Sequence, residues 1–253
     1  MNKLWVITIL LKIPKNNIPF EMNKLLVITG GSKGIGRKII ERFIKEGFDV
    51  ATCSRHNGDL EKLKADIKHP GNLLTLAADL TDRKAITHFI QFITELNRPV
   101  DVLINNAGFF VPGEISTEEE GVLESMIQAN LLSAYHITRG ILPQMKLNKR
   151  GHIFNMCSIA SLKAYKNGGS YAITKFALLG FSKCLREELK DMGIRVTAIM
   201  PGATLTASWE GVNLPEDRFM KPEDIADMVY ASYALSSRSV VEEIIIRPQL
   251  GDI

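Results

Sequence analysis

From Met22 onward, short apolar runs alternate with longer stretches that repeat apolar residues at three- and four-residue spacings. Leu25–Thr29, Phe48–Ser54, Leu73–Ala77, Val100–Ile104, Gly151–Met156, Ile194–Met200 and Glu243–Arg247 predict seven strands. Several are almost wholly apolar, as expected of strands covered by helices on both faces. Ile35–Glu46 and Ala85–Leu96 predict amphipathic helices. Glu119–Met145 and Ser170–Met192 predict the two longest helices, with Pro143 placed to stop or bend the first. A further helix starts near Pro222, after the long irregular stretch Gly202–Lys221. Loops of that length are usually functional or mobile. Its Trp209 and Phe219 either cover a ligand or pack on the core. Strands alternating with helices imply βαβ units, and so an α/β fold with a doubly wound parallel sheet.

Composition narrows the class. The chain has 253 residues, 45% hydrophobic and 23% charged, enough to bury a large core without disulfides or metals. No linker rich in Ser or Pro divides it, so residues 22–253 read as one domain. A formal charge of +3, with no dense Lys/Arg run, argues against nucleic acid as a partner. Cys53, Cys157 and Cys184 are widely spaced and form no CxxC pair, which fits a reducing, cytoplasmic setting. The five histidines lack metal-ligand spacing, so no catalytic metal is expected.

The N-terminus carries an apolar run, Leu4–Leu11, too short for a membrane span and followed by no small-residue cleavage site. No membrane partner is expected. Residues 1–8 nearly repeat as residues 22–29, and only the second copy continues into a glycine-rich loop. The expectation is that 1–21 is an extension from an over-long gene start. A membrane-surface or partner-binding arm is the other reading.

That loop is Gly30-Gly-Ser-Lys-Gly-Ile-Gly36, directly after one predicted strand and before one predicted helix. Glycines there let backbone N–H groups approach a pyrophosphate, and the helix N-terminus adds partial positive charge. About twenty residues on, where an acid would bond a free ribose 2′-hydroxyl, the chain has Ser54 and Arg55. Arg55 can pair a phosphate with two charge-assisted hydrogen bonds, and Lys33 can add a second cation. NADP(H) is therefore favoured over NAD(H), unless both cations are merely solvated.

Read as Thr29-Gly30-x-x-x-Gly34-x-Gly36, the loop resembles the TGxxxGxG loop of the short-chain dehydrogenase/reductase family. The resemblance runs from about Lys24 through Arg247. It takes in Asp79, Asn105-Asn-Ala-Gly108, Asn130, Ser158, Tyr171-x-x-x-Lys175 and Pro201-Gly202. It implies a Rossmann-type seven-stranded fold. It also implies that Gly30, Ser32, Lys33, Gly34, Ile35, Gly36, Ser54 and Arg55 hold the cofactor. Asp79 and Leu80 would contact the adenine, Asn105, Ala107 and Gly108 would line the adenosine side, and Pro201, Gly202 and Thr204 would close on the nicotinamide. Read from the residues alone, Asp79 serves equally well as the N-cap of the next helix.

Tyr171 and Lys175 lie four residues apart on a predicted helix and share one face. A nearby ammonium should lower the tyrosine pKa and fit it for proton exchange with a carbonyl oxygen or alcohol. Such a pair arises often on surfaces, but Ser158 at a strand end is placed to hold a substrate oxygen. In the family Asn130 completes a tetrad by supporting a water-linked proton path to the lysine; alone, it could be a helix residue satisfied by backbone. Thr174 replaces a commoner serine. The C-terminal Arg247–Ile253 lacks the glycine-rich segment of many 3-oxoacyl-acyl-carrier-protein reductases, leaving sepiapterin-reductase-like or general carbonyl reductases open. Phe110, Tyr165 and Trp209 suggest an apolar pocket. The resemblance also implies a homodimer or homotetramer built on the two longest helices. The alternative to an enzyme is a non-catalytic dinucleotide sensor on the same fold.

Overall fold

The structure is a computed structural model that describes residues 23–67, 72–209 and 211–253. The 1–21 extension lies outside the described residues. Seven strands, β1 (Leu25–Thr29), β2 (Asp49–Ser54), β3 (Leu73–Ala77), β4 (Val102–Asn105), β5 (Gly151–Met156), β6 (Ile194–Pro201) and β7 (Glu243–Ile246), form one sheet. Their order is β3-β2-β1-β4-β5-β6-β7, and every pairing is parallel. The chain reverses its direction of travel across the sheet between β1 and β4. The crevice beyond the carboxyl ends of those two strands is where an open α/β sheet takes its ligand.

The helices are α1 (Gly34–Lys45), α2 (Asn57–Asp66), α3 (Arg83–Glu95), α4 (Val122–Ile127), α5 (Ser133–Asn148), α6 (Gly169–Leu189) and α7 (Pro222–Ala234). One core lies under α1 and α7, where Ile40, Phe43 and Val229 pack on Leu26, Ile28 and Ile104. The other lies under α3, α5 and α6, where Phe89, Ile141 and Leu185 pack on Val27, Leu103 and Ile153. The two sheet faces therefore bury successive residues of the same strands, and β1 and β4 are buried along their whole length. Among the described residues, no helix is long and apolar enough to cross a membrane.

Differences from the sequence pattern have local causes. The single helix expected over Glu119–Met145 is α4, a π-helical turn at Gln128–Leu132, and α5. Pro143 does not end α5, which runs on to Asn148. Pro143 and Arg139 both lie on the exposed side, so the carbonyl that proline leaves without its donor faces water. α2 escapes the periodicity because only Leu60 and Leu63 are buried on it. Pro201 extends β6, whereas Phe48 and Val100 lie just before β2 and β4.

Candidate active site

A cleft of about 990 Å³ opens along the carboxyl ends of the strands. The glycine loop forms one wall. Gly34 begins α1 with φ +55°, a left-handed conformation that disfavours any side chain, and a Cβ on Gly36 would stand 2.5 Å from the carbonyl oxygen of Gly30. Asn106 holds this loop in shape. Its Nδ2 donates to the carbonyls of Thr29 and Gly30, each at 3.0 Å, and its backbone N–H donates to Thr29 Oγ1 at 3.0 Å. No side chain caps the first-turn N–H groups of α1, which fits a pyrophosphate as their acceptor.

Gly30, Ser32, Lys33, Gly34, Ile35 and Gly36 all line this end of the cleft, with Ser54, Arg55, Asp79 and Leu80 beyond them. Ser32 Oγ donates to Ser54 Oγ at 2.9 Å, tying the loop to the end of β2. Lys33 is paired with Asp59 at 2.9 Å. Arg55 is exposed and has no carboxylate partner among the described residues. Asp79 is not the N-cap of α3; Asp82 fills that place, accepting from the Lys84 N–H. Asp79 instead accepts from the Thr81 N–H and hydroxyl, and these bonds, with Arg55 nearby, hold it below the ordinary carboxylate range.

The middle of the cleft is lined by Ala107 and Gly108, but Asn105 is turned away from it. Asn105 is buried in β4, and its Nδ2 donates to Thr138 Oγ1 at 2.9 Å and to Asn155 Oδ1 at 2.8 Å. The strand runs one residue further than expected, so Asn105 faces the neighbouring strand and helix, and Asn106 is the asparagine that meets the loop. The sequence held this signal in its paired asparagines, but not which of them pointed where.

Ser158, Tyr171, Lys175, Pro201, Gly202 and Thr204 gather at the far end. Ser158 follows β5 and is the N-cap of a short 3-10 turn, its Oγ accepting from the Ala160 N–H at 3.1 Å. Its hydroxyl shares the cleft with the Tyr171 phenol. Lys175 Nζ donates to the Met156 carbonyl at 2.7 Å. Asn130 sits in the π-helical turn, outside the cleft lining, with its side chain fully engaged. Its Oδ1 accepts from the Phe109 N–H, and its Nδ2 donates to the Phe109 carbonyl and to Thr174 Oγ1. Thr174 in turn donates to the Tyr171 carbonyl at 2.8 Å. The threonine found in place of serine thus links Asn130 to the backbone of Tyr171.

The electrostatics correct one expectation. Burial pushes the Tyr171 phenol up to about 12, the nearby Ser158 side chain only partly offsetting it. Burial also brings the Lys175 ammonium down to about 8. The ammonium stands over the tyrosine ring and gives its hydrogen bond to a backbone carbonyl. In the protein by itself, desolvation sets the direction of both shifts.

Residues 24–217 match the family model described as short chain dehydrogenase. The chain belongs to the short-chain dehydrogenase family. As a short-chain dehydrogenase it is an oxidoreductase, and its relatives span nearly its whole length. A sepiapterin reductase of Chlorobaculum tepidum is 34% identical over 241 residues, covering 92% of this chain and 99% of that one. A metagenomic short-chain oxidoreductase solved with NADP is 29% identical, with a TM-score of 0.78 over 90% of this chain and 98% of that one. An alcohol dehydrogenase of the archaeon Thermococcus sibiricus, solved with 5-hydroxy-NADP, is 26% identical with a TM-score of 0.83 over 89% and 97%. Among the described residues of this short-chain dehydrogenase, no group of three His, Cys, Asp or Glu side chains is gathered to hold a metal.

Aromatic side chains wall the end of the cleft near Tyr171. Phe110 stands edge-on to Tyr171 with ring centroids 4.9 Å apart, and Tyr165 and Trp209 line the same end. Trp209 rests on Phe219, which is buried and does not reach the cleft. The loop therefore places one of its two aromatics at the cleft and packs the other on the core. The C-terminal Asp252 and Ile253 also reach the cleft, a placement that nothing in the local sequence signals.

Proposed function

We propose that this short-chain dehydrogenase is an NADP(H)-dependent carbonyl reductase, with Tyr171 as general acid and base. The observation that carries this reading is one continuous cleft, with the glycine loop at one end and Ser158, Tyr171 and Lys175 at the other. NADP-bound structural relatives support the cofactor, and Arg55 supports it independently, as a free guanidinium where a 2′-phosphate would lie. When bound, the nicotinamide supplies or accepts hydride at the substrate carbon.

The chain's own residues do the rest. Gly30, Ser32, Gly34, Ile35 and Gly36 would hold the pyrophosphate, and Lys33, Ser54 and Arg55 the adenosine 2′-phosphate. Asp79, Leu80, Ala107 and Gly108 would face the adenosine, and Pro201, Gly202 and Thr204 the nicotinamide. Ser158 donates a hydrogen bond to the substrate oxygen. Tyr171 gives that oxygen a proton on reduction, or removes one on alcohol oxidation. Lys175, held by the Met156 carbonyl one helical turn from Tyr171, would bind the nicotinamide ribose. Asn130 holds the Phe109 backbone and, through Thr174, the turn of α6 that carries Tyr171. The same reading includes a cytoplasmic homodimer or homotetramer meeting through α4–α5 and α6, on which Ile173 and Phe176 are half exposed.

The test is NADPH oxidation over a panel of ketones, with Tyr171→Phe alongside. Turnover by wild type and at least a hundredfold loss in the variant, with NADPH binding kept, is the expected outcome. Tight NADPH binding with no turnover by either protein would favour a dinucleotide sensor instead.

A further inference from the structure

We propose that Glu118 is a positioning residue for the proton-transfer end of the site, acting through Ser170 on Tyr171. The proposal rests on the catalytic reading of Tyr171. α6 starts without a cap of its own, because its N-cap residue, Gly168, has no side chain. The N–H groups of a helix's first turn need acceptors, and a carboxylate is the strongest available. Glu118 fills this role from 52 residues away in sequence: its Oε1 accepts from the Ser170 N–H at 3.0 Å, and its Oε2 accepts from the Ser170 hydroxyl. Ser170 is buried and directly precedes Tyr171.

The approach is built into the chain. A Cβ on Gly113 would stand 2.8 Å from Glu118 Cγ, and one on Gly169 would stand 2.7 Å from the Gly113 carbonyl oxygen. The Gly113 N–H donates to the Asn167 carbonyl at 3.1 Å, and Gly113 bridges Gly168. Glu118 thus ties the stretch after β4 to the first turn of the catalytic helix. That same stretch carries Phe109, held by Asn130, and Phe110, whose ring meets Tyr171 edge-on. Losing the carboxylate frees both the helix start and the ring against the phenol. Sub-ångström drift of a proton donor slows chemistry far more than it weakens cofactor binding, because the glycine cradle lies at the other end of the cleft.

The test compares wild type, Glu118→Ala, Glu118→Gln, Ser170→Ala and Tyr171→Phe in steady state, using NADPH, its 4-deuterated form and a ketone that the wild type reduces. Glu118→Ala should lower kcat about tenfold, hold the KM for NADPH within about twofold, and raise the isotope effect on kcat as the chemical step becomes limiting. Glu118→Gln keeps one acceptor for the Ser170 N–H and should recover much of the rate. A Glu118→Ala protein with kcat within about twofold of wild type overturns the proposal. So does one that loses thermal stability and NADPH binding together with no change in the isotope effect. If Glu118→Ala does not fold, Ser170→Ala, which removes only the hydroxyl donor, must still lower kcat; unchanged turnover there also overturns it. Full activity in Tyr171→Phe would defeat the catalytic reading itself, whereas an inactive Tyr171→Phe beside an unimpaired Glu118→Ala defeats only the role given to Glu118.

Discussion

The Lys175 ammonium stands 5.5 Å from the centroid of the Tyr171 ring and gives its hydrogen bond to the carbonyl of Met156. Two titratable groups, one helical turn apart, are both held toward their neutral forms by burial. A phenol that stays protonated is the form needed to reduce a ketone. Under the role proposed for Tyr171, alcohol oxidation would require that proton to leave, and an oxidised nicotinamide bound in the cleft would supply positive charge that favours it.

Burying the Lys175 charge costs stability. Its value is lowered from 10.5 to about 8, a difference of about 2.5 units or roughly 3 kcal/mol at neutral pH. Its hydrogen bond to Met156, made by a charged donor, returns about 1.5–3 kcal/mol and so leaves only a small net cost. Lys175→Met should therefore raise the Tm of the cofactor-free protein at pH 7 while abolishing turnover. The folded value is depressed, so wild type gains stability from pH 8 up to 10.5 as the folded state sheds a proton the unfolded chain keeps. The advantage of the variant should shrink across that window. Thermal melts at pH 7, 8 and 9.5 check it, and a destabilised variant at pH 7 would refute it.

Cofactor choice should rest on Arg55 more than on Lys33, because Lys33 is already paired with Asp59 and Arg55 has no such partner among the described residues. A charge-assisted pair of hydrogen bonds contributes about 1.5–3 kcal/mol, which corresponds to about ten- to a hundredfold in affinity. Arg55→Ala should weaken NADPH binding by that factor and leave NADH within about twofold. Titration of both nucleotides by fluorescence decides it; equal losses for the two would remove Arg55 from the 2′-phosphate site.

The strands and the glycine loop were legible because each leaves a period or a spacing in the chain: wholly buried β1 and β4 have no polar alternation, and Gly36 sits where only a glycine fits. Ser158, Tyr171 and Lys175 were legible for the same reason, since their spacing brings them to one strand end and one helix face. What stayed hidden depends on long-range geometry. The π-helical turn around Asn130 has no sequence period of its own, and the choice between Asn105 and Asn106 hinges on where β4 stops. The charge on Tyr171 hinges on burial, which residue spacing does not measure. Glu118 meets Ser170 only because two glycine stretches fold together.

Asn105 provides a direct check on that distinction. Its side chain braces β4 against Asn155 and Thr138, with its Oδ1 finding no hydrogen-bond partner among the described residues. Asn105→Ala should destabilise the fold by about 1–3 kcal/mol through the buried acceptors it strands. Asn106→Ala should instead weaken NADPH binding by loosening the glycine loop. Urea unfolding and nucleotide titration on both variants separate the roles; a large NADPH defect in Asn105→Ala with unchanged stability would return Asn105 to the cofactor site.

His152 sets a limit on acid stability. It lies fully buried in β5, with Nε2 at 2.7 Å from Thr197 Oγ1, Nδ1 without a partner among the described residues, and its ring stacked on Phe154 at 3.9 Å. Desolvation, with a smaller contribution from Arg195, holds its pKa well below 6.5. The folded state therefore refuses a proton that the unfolded chain accepts. Stability from this group is intact above pH 6.5 and is lost as pH falls below it, with a slope approaching about 1.4 kcal/mol per pH unit. His152→Gln has no titrating ring and should lack that component, even if it starts from a lower stability at pH 7. Urea midpoints for the two proteins at pH 7.5, 6 and 5 should converge as the wild type loses its advantage. Parallel curves through that range would mean that His152 takes up its proton within the fold.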